Sequence, residues 1–284
     1  MRTNISISAR CKFIALLGFI FLLGACSTPY TSSSYVNKNN EIFNNQLVEV
    51  MKNAESGNTV YFFGFALWGQ ESWSENDIKE IKNVFTDFYP DRKFSSFIFS
   101  NKETTLPDDY PSIQEDLAHK SFDIVSNRIS PNDIVVIAIS SHGSENIISN
   151  KIGYSKAEGI SAETIDEFIS KLSSSNKIIV ISACYSGSLI ETIKDENSII
   201  FTAASKDRQS FGCGPGETNT WFVRAIKDSY EDLKVNDPTS AKSLGHVFSK
   251  AIEKVTEYER KEKKKPSNPQ LFVGGDLDKS LVNY

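Results

Sequence analysis

Asp133-Ile134-Val135-Val136-Ile137-Ala138-Ile139-Ser140-Ser141-His142-Gly143 is the stretch that decides the fold. Its apolar run is continuous rather than alternating, and β-branched residues dominate it. A strand of that kind is buried on both faces, as in a parallel sheet covered by helices. Lys177-Ile178-Ile179-Val180-Ile181-Ser182-Ala183-Cys184-Tyr185-Ser186-Gly187 repeats the pattern. In open α/β sheets, chemistry collects outside the carboxyl ends of the strands. Both strands run directly into a reactive side chain there, His142 from one and Cys184 from the other. These are the candidate general acid/base and nucleophile.

Outward from this pair, strands and helices alternate. Apolar spacing predicts helices over residues 41–55, 74–88, 111–129, 161–172, 220–230 and 240–262. Strands are expected at 59–66, 94–99, 198–203 and 270–273, with a polar hairpin or loop over 144–160. Ser74 followed by Asp77 reads as a capping box at the start of the second helix. The alternation implies right-handed crossovers and a three-layer α/β/α sandwich around a mostly parallel sheet. Residues 41–284 read as one domain, with no internal repeat.

The amino terminus reads as an address. Arg2, Arg10 and Lys12 precede an apolar run from Phe13 to Leu23, too short to span a bilayer but suited to a signal-peptide core. Leu23-Gly24-Ala25-Cys26 resembles the lipobox of bacterial lipoproteins, which implies cleavage after residue 25 and a lipid on Cys26. Residues 26–40 are then the lipidated cysteine and a solvated tether. The expected location is the bacterial cell envelope, at the outer membrane if the envelope is Gram-negative. Loss of residues 1–25 removes three cations and no acid, moving the formal charge from −5 to −8. Without a basic domain or an aromatic-plus-basic stripe, nucleic acid is not an expected partner. The cluster Arg260-Lys261-Glu262-Lys263-Lys264-Lys265 reads as the solvated end of a helix, where cations complement the dipole.

A free thiol has a pKa of about 8.5, so Cys184 needs help to react at neutral pH. Gly143 and Gly187 permit close approach of backbone to a substrate, and the amides of Gly143 and Cys184 are candidate oxyanion donors. Nucleophile, base and oxyanion site on neighbouring strand ends suit acyl transfer through a thioester. Cys213, the other cysteine beyond the leader and Cys26, reads as a small packing residue. Trp68 and Trp73, just past the first strand, suit core packing or substrate contact.

The Ser-His-Gly and Ser-Ala-Cys-Tyr-Ser-Gly blocks resemble the catalytic signature of the legumain-type cysteine peptidases, relatives of the caspases. A third block, Thr202 to Cys213 followed by Thr220-Trp221-Phe222, resembles the corresponding stretch of the bacterial members. Pro266-Ser267-Asn268-Pro269-Gln270 resembles their C-terminal element, and the similarity runs from about residue 58 to 276. The resemblance implies a caspase-like fold, a His142–Cys184 dyad, a protein or peptide substrate, and no metal or cofactor. It also places Ser182, Tyr185, Ser205, Asp207, Ser210 and Arg224 as candidate substrate-binding residues. Departures stand beside it: Ser182 and Tyr185 replace acidic residues that flank the cysteine in eukaryotic legumains, and Arg224 aligns best with their pocket aspartate. A pocket carrying Arg224 would favour an acidic or small polar side chain over asparagine. Transfer of the acyl group to an amine, or a catalytically silent interaction role, remain alternatives to peptide hydrolysis.

Overall fold

Every residue of β3 (Ile134–Ser140) is buried, and its side chains alternate between two separate apolar cores. Val136 and Ala138 point to one, Val135, Ile137 and Ile139 to the other. This double burial is why the strand reads as an unbroken apolar run. The computed structural model describes residues 29–53, 57–104, 106–172 and 175–277. The leader and Cys26 lie outside the described residues.

The main sheet has the order β2 (Lys93–Ser100), β1 (Thr59–Ala66), β3, β7 (Asn176–Ser182), β8 (Ser198–Thr202), β9 (Gln270–Val273). All neighbours are parallel except β9, which runs antiparallel to β8. One face is covered by α2 (Trp73–Phe88), α6 (Trp221–Asn236) and α7 (Leu244–Lys261), through residues such as Ile78, Ile81, Phe222 and Phe248. The opposite face packs on α1 (Ser33–Asn53), α3 (Glu115–Ser126) and α4 (Ala162–Ser170), through Phe43, Phe122 and Ile165. Large apolar areas leave water on both sides, each fully buried Val, Leu, Ile or Phe contributing about 1.5–3 kcal/mol. The three-layer sandwich with a mostly parallel sheet is therefore the architecture.

Two local expectations are revised and one is extended. Residues 29–40, assigned to the tether, are folded, Pro29–Thr31 as a 3-10 turn and 33–40 as the first two turns of α1, with Tyr35 and Asn39 buried against the domain. The polar stretch after His142 forms the hairpin expected there and extends it to a small antiparallel sheet of β4 (Gly143–Ser144), β5 (Ile147–Asn150) and β6 (Glu158–Ser161). Ser74 does not cap α2. The helix already starts at Trp73, Ser72 occupies the cap position, and Ser74 and Asp77 are turned inward. By contrast Ser161 caps α4 as its sequence implies, its hydroxyl accepting from the Thr164 amide at 3.3 Å. α5 (Ile190–Ile193) completes the crossover from β7 to β8.

Candidate active site

β3 and β7 are adjacent and parallel, and Ser140 lies directly opposite Ser182. The Ser141 amide extends the ladder by donating to the Ser182 carbonyl at 3.1 Å. His142 and Cys184 each lie two residues past the paired serines, on strands about 4.8 Å apart. The sheet register thus brings the two candidate catalytic residues to one edge.

Chain closure at this edge is tight. A Cβ on Gly143 would lie 2.6 Å from the Cys184 carbonyl oxygen, and one on Gly187 would lie 2.8 Å from the Ala204 carbonyl oxygen. Both glycines admit neighbouring backbone, a role different from the approach to substrate that the sequence implies. Tyr185 has φ of 58°, left-handed for a residue with a bulky side chain, at a typical cost of about 1–3 kcal/mol. Its amide donates to the Arg208 carbonyl at 2.7 Å, which ties the turn after Cys184 to the loop following β8.

That loop surrounds the thiol. The Ser210 amide donates to Cys184 Sγ at 3.3 Å, the Ser210 hydroxyl lies 3.7 Å from it, and the thiol in turn faces the Ser210 carbonyl at 3.5 Å. The Cys213 thiol also hydrogen-bonds to Cys184, and this contact with the Ser210 bonds lowers Cys184 to about 6, against the opposing effect of burial. Cys213 is pushed up, first by donating to Cys184 and then by burial. Both cysteines are free thiols. Cys213 is thus a neighbour of Cys184 rather than a packing residue in its own loop.

His142 is flanked by two indoles. Trp68 stands edge-on at 4.4 Å between ring centroids and Trp73 at 5.4 Å. Burial pushes the imidazole below its ordinary pKa, Glu71 opposes that, and Lys151 adds to it. Glu71 accepts from the Trp68 indole N–H, and Lys151 lies over the Trp68 ring. The His142 carbonyl accepts from the Ser149 amide of β5 at 2.9 Å, so the small sheet fixes the histidine backbone. Neutral imidazole at physiological pH can accept and return a proton.

The remaining candidates divide. Ser210 touches the thiol and Tyr185 forms the turn beside it. Ser205 and Asp207 bond to each other at 2.8 Å, and Asp207 pairs with Arg208 at 3.7 Å, so these polar groups hold the loop. Arg224 is exposed on the first turn of α6, with its guanidinium over the Tyr258 ring at 4.8 Å. Ser182 is a correction: it is fully buried and its hydroxyl meets Thr220 Oγ1 at 2.8 Å, so it does not face a substrate. Sequence reasoning missed Glu71, the placement of Cys213, and Asp77. Asp77 lies at 0% exposure beneath the edge, bonded to Ser140, Asn219 and Thr220. Its only sequence signal, spacing from Ser74, pointed to a helix cap.

A sequence model described as the "Peptidase C13 family" matches residues 113–275, from just before α3 through β9. The chain belongs to the peptidase C13 family. This is the legumain-type family of cysteine peptidases suggested by the blocks around His142 and Cys184. Among solved structures, the chain is similar to caspase-1 from Spodoptera frugiperda, with a TM-score of 0.50 and 10% identity over 76% of this chain and 85% of that one. At that identity the likeness concerns the fold, which is caspase-like. No curated protein sequence matches the chain. As a C13 chain with a caspase-like sandwich, the protein has the family and fold of cysteine peptidases, enzymes that act on proteins or peptides.

Proposed function

We propose that this protein is a cysteine endopeptidase of the cell envelope in which Cys184 is the nucleophile and His142 the general acid/base. The observation that carries the reading is the Ser140–Ser182 register, which sets both residues on adjacent strand ends beside a thiol-lowering loop. His142 takes the proton of the Cys184 thiol, the sulfur attacks the peptide carbonyl carbon, and the oxyanion is received by the amides of Cys184 and Gly143. Collapse breaks the C–N bond while His142 gives a proton to the departing amine. Water then loses a proton to His142 and attacks the thioester, releasing the acid and regenerating the thiol. Tyr185 and Ser210, beside the thiol, are the residues assigned to substrate contact around this centre.

A lipid on Cys26 supplies the anchor in this reading. Because Pro29–Thr31 already form a 3-10 turn, with Tyr30 edge-on to Tyr35 at 5.4 Å, at most two residues separate Cys26 from the folded domain, a reach of about 10 Å. Acyl chains contribute about 0.8 kcal/mol per buried CH₂, so several chains hold a domain at a bilayer.

Intact mass spectrometry after exposure to a peptide acyloxymethyl-ketone library tests the chemistry. One covalent adduct is expected on Cys184, selective for the terminal side chain of the probe and absent from Cys184→Ala. Alkylation of the thiol by iodoacetamide with capture of no peptide probe would overturn the peptidase reading. Cys26→Ala is expected to move the full-length protein from the membrane to the soluble fraction, and continued membrane association would overturn the anchor.

A further inference from the structure

Asp77 connects the two strand ends that carry the proposed dyad. Its Oδ2 accepts from the Ser140 hydroxyl and from the Thr220 hydroxyl, each at 2.8 Å. Its Oδ1 accepts from the Thr220 amide at 3.0 Å and from Asn219 Nδ2 at 3.1 Å. The four donors are neutral, and together they use both oxygens of the carboxylate.

The acceptor-only character of an ionised carboxylate fixes the direction of the whole chain of bonds. Thr220 has one hydroxyl proton, and it goes to Asp77. Thr220 Oγ1 must then accept from the Ser182 hydroxyl, just as it accepts from the Val223 amide at 3.3 Å in capping α6. Ser140 likewise gives its proton to Asp77, while its carbonyl accepts from Ser74 at 2.7 Å. The resulting series is Ser140 to Asp77 to Thr220 to Ser182. One end lies two residues before His142 and the other two residues before Cys184.

A helix-packing role alone does not account for a carboxylate here. An anion removed from water costs several kcal/mol, and neutral or apolar groups of similar volume often replace buried charge without loss of stability. What a carboxylate adds over an amide is a fixed proton order, because Asn presents two donors where Asp77 presents only acceptors. Facing Ser140 and Thr220, an amide N–H₂ would have to reverse both hydroxyls, and turned the other way it would face the Thr220 amide, itself a donor.

We propose that Asp77 is a positioning residue for the C13 chemistry, holding the Ser140 and Ser182 strand ends at the separation that His142 and Cys184 require. It does not touch substrate. The assignment rests on the peptidase reading above, and it extends beyond the family match, since residue 77 precedes the matched segment 113–275. A displacement of about 1 Å at a reacting pair costs on the order of 100-fold in rate, which sets the scale of the effect.

The experiment uses the full-length enzyme with Asp77→Asn, Ser140→Ala, Ser182→Ala and the double variant Ser140→Ala/Ser182→Ala. Thermal unfolding gives the folded fraction, turnover of a captured peptide sequence gives kcat and KM, and iodoacetamide gives the Cys184 alkylation rate. For Asp77→Asn, kcat per folded molecule is expected to fall about 10–100-fold with KM within twofold of wild type. Links in series fail together, so the double serine variant is expected to be no slower than the slower single variant. Unchanged kcat in folded Asp77→Asn, or losses that multiply in the double variant, would overturn the assignment. Should Asp77→Asn not fold, the serine variants decide by the same multiplicative test. Should wild type turn over no peptide, the peptidase reading fails by itself and alkylation judges Asp77. A changed Cys184 alkylation rate in the folded variants then supports the series, and an unchanged rate overturns it.

Discussion

The two edges of the parallel sheet hold buried charge in contrasting ways. At the amino edge, Asp133 accepts from the Thr59 amide at 2.7 Å and from the Ser130 amide and hydroxyl at 2.9 Å. Lys177, fully buried beside it in the sheet, pairs with Asp195 at 2.9 Å and donates to the Leu172 and Ser175 carbonyls. Each charge there closes a turn or meets an opposite charge. At the carboxyl edge, the Asp77 donors are all neutral, Cys184 is lowered by thiol and amide donors, and His142 is desolvated between indoles. The amino edge holds the strands together. The candidate reactive groups lie at the other edge, where side chains are stripped of water and their protonation is tuned by neighbours.

Removing the proposed nucleophile should produce the largest effect. Cys184→Ala is expected to reduce peptide turnover by at least about 1,000-fold, and His142→Ala by about 100- to 10,000-fold, with unfolding midpoints close to wild type. Residual turnover in Cys184→Ala above that limit would mean that the reactive group lies elsewhere. The amino-edge counterpart is Asp133→Ala, which strands the Thr59 and Ser130 donors. A stability loss of about 2–4 kcal/mol is expected in urea unfolding, with kcat unchanged per folded molecule. A fall in kcat without a stability loss would erase the contrast between the edges.

The pH dependence of stability sharpens it. Burial, only partly offset by hydrogen bonds, pushes Asp77 up to about 6 in the folded protein, against about 3.9 in an unfolded chain. Between these values the folded state binds the extra proton, so this group lowers stability as pH rises from about 4 to 6. The stability of Asp77→Asn relative to wild type should therefore increase by about 2 kcal/mol between pH 4 and pH 7. Parallel curves for the two proteins would show that the Asp77 carboxylate is not desolvated. The smallest effect is expected from Cys213→Ala, which deletes the thiol donor to Cys184. The midpoint of iodoacetamide alkylation at Cys184 should rise from about 6 toward the ordinary thiol value near 8.5, slowing alkylation about tenfold at pH 6.5. An unmoved midpoint would assign the lowering to Ser210 alone.

Much of the architecture was legible in local sequence. The runs 134–140 and 176–182 are apolar on both sides because both faces of the sheet are covered, and that alone signals a parallel strand. His142 and Cys184 were legible as candidates because each follows such a strand by two residues. Other features were misread where one local pattern fits two environments. Ser74 and Asp77 have the spacing of a cap, yet they face the sheet, where Ser140 and Thr220 wait to bond with them. Ser182 occupies a position expected at the substrate, but on a strand the side chain alternates, and its pleat points inward to Thr220. The polar stretch 33–40 looked solvated because Tyr35 and Asn39 find their partners far along the chain, Asn39 at Ser112.

By itself the sequence determined the apolar runs that become strands, the helical periods between them, and the placing of His142 and Cys184 just past two strand ends. These follow from backbone geometry and burial over a few neighbouring residues. Only the tertiary structure decided which side chains reach Cys184 and what joins its strand to that of His142. Cys213 lies 29 positions beyond Cys184, and Asp77 meets a threonine 143 positions away. Contacts at such separations are set by how helices and loops dock on a finished sheet, and no local period encodes them.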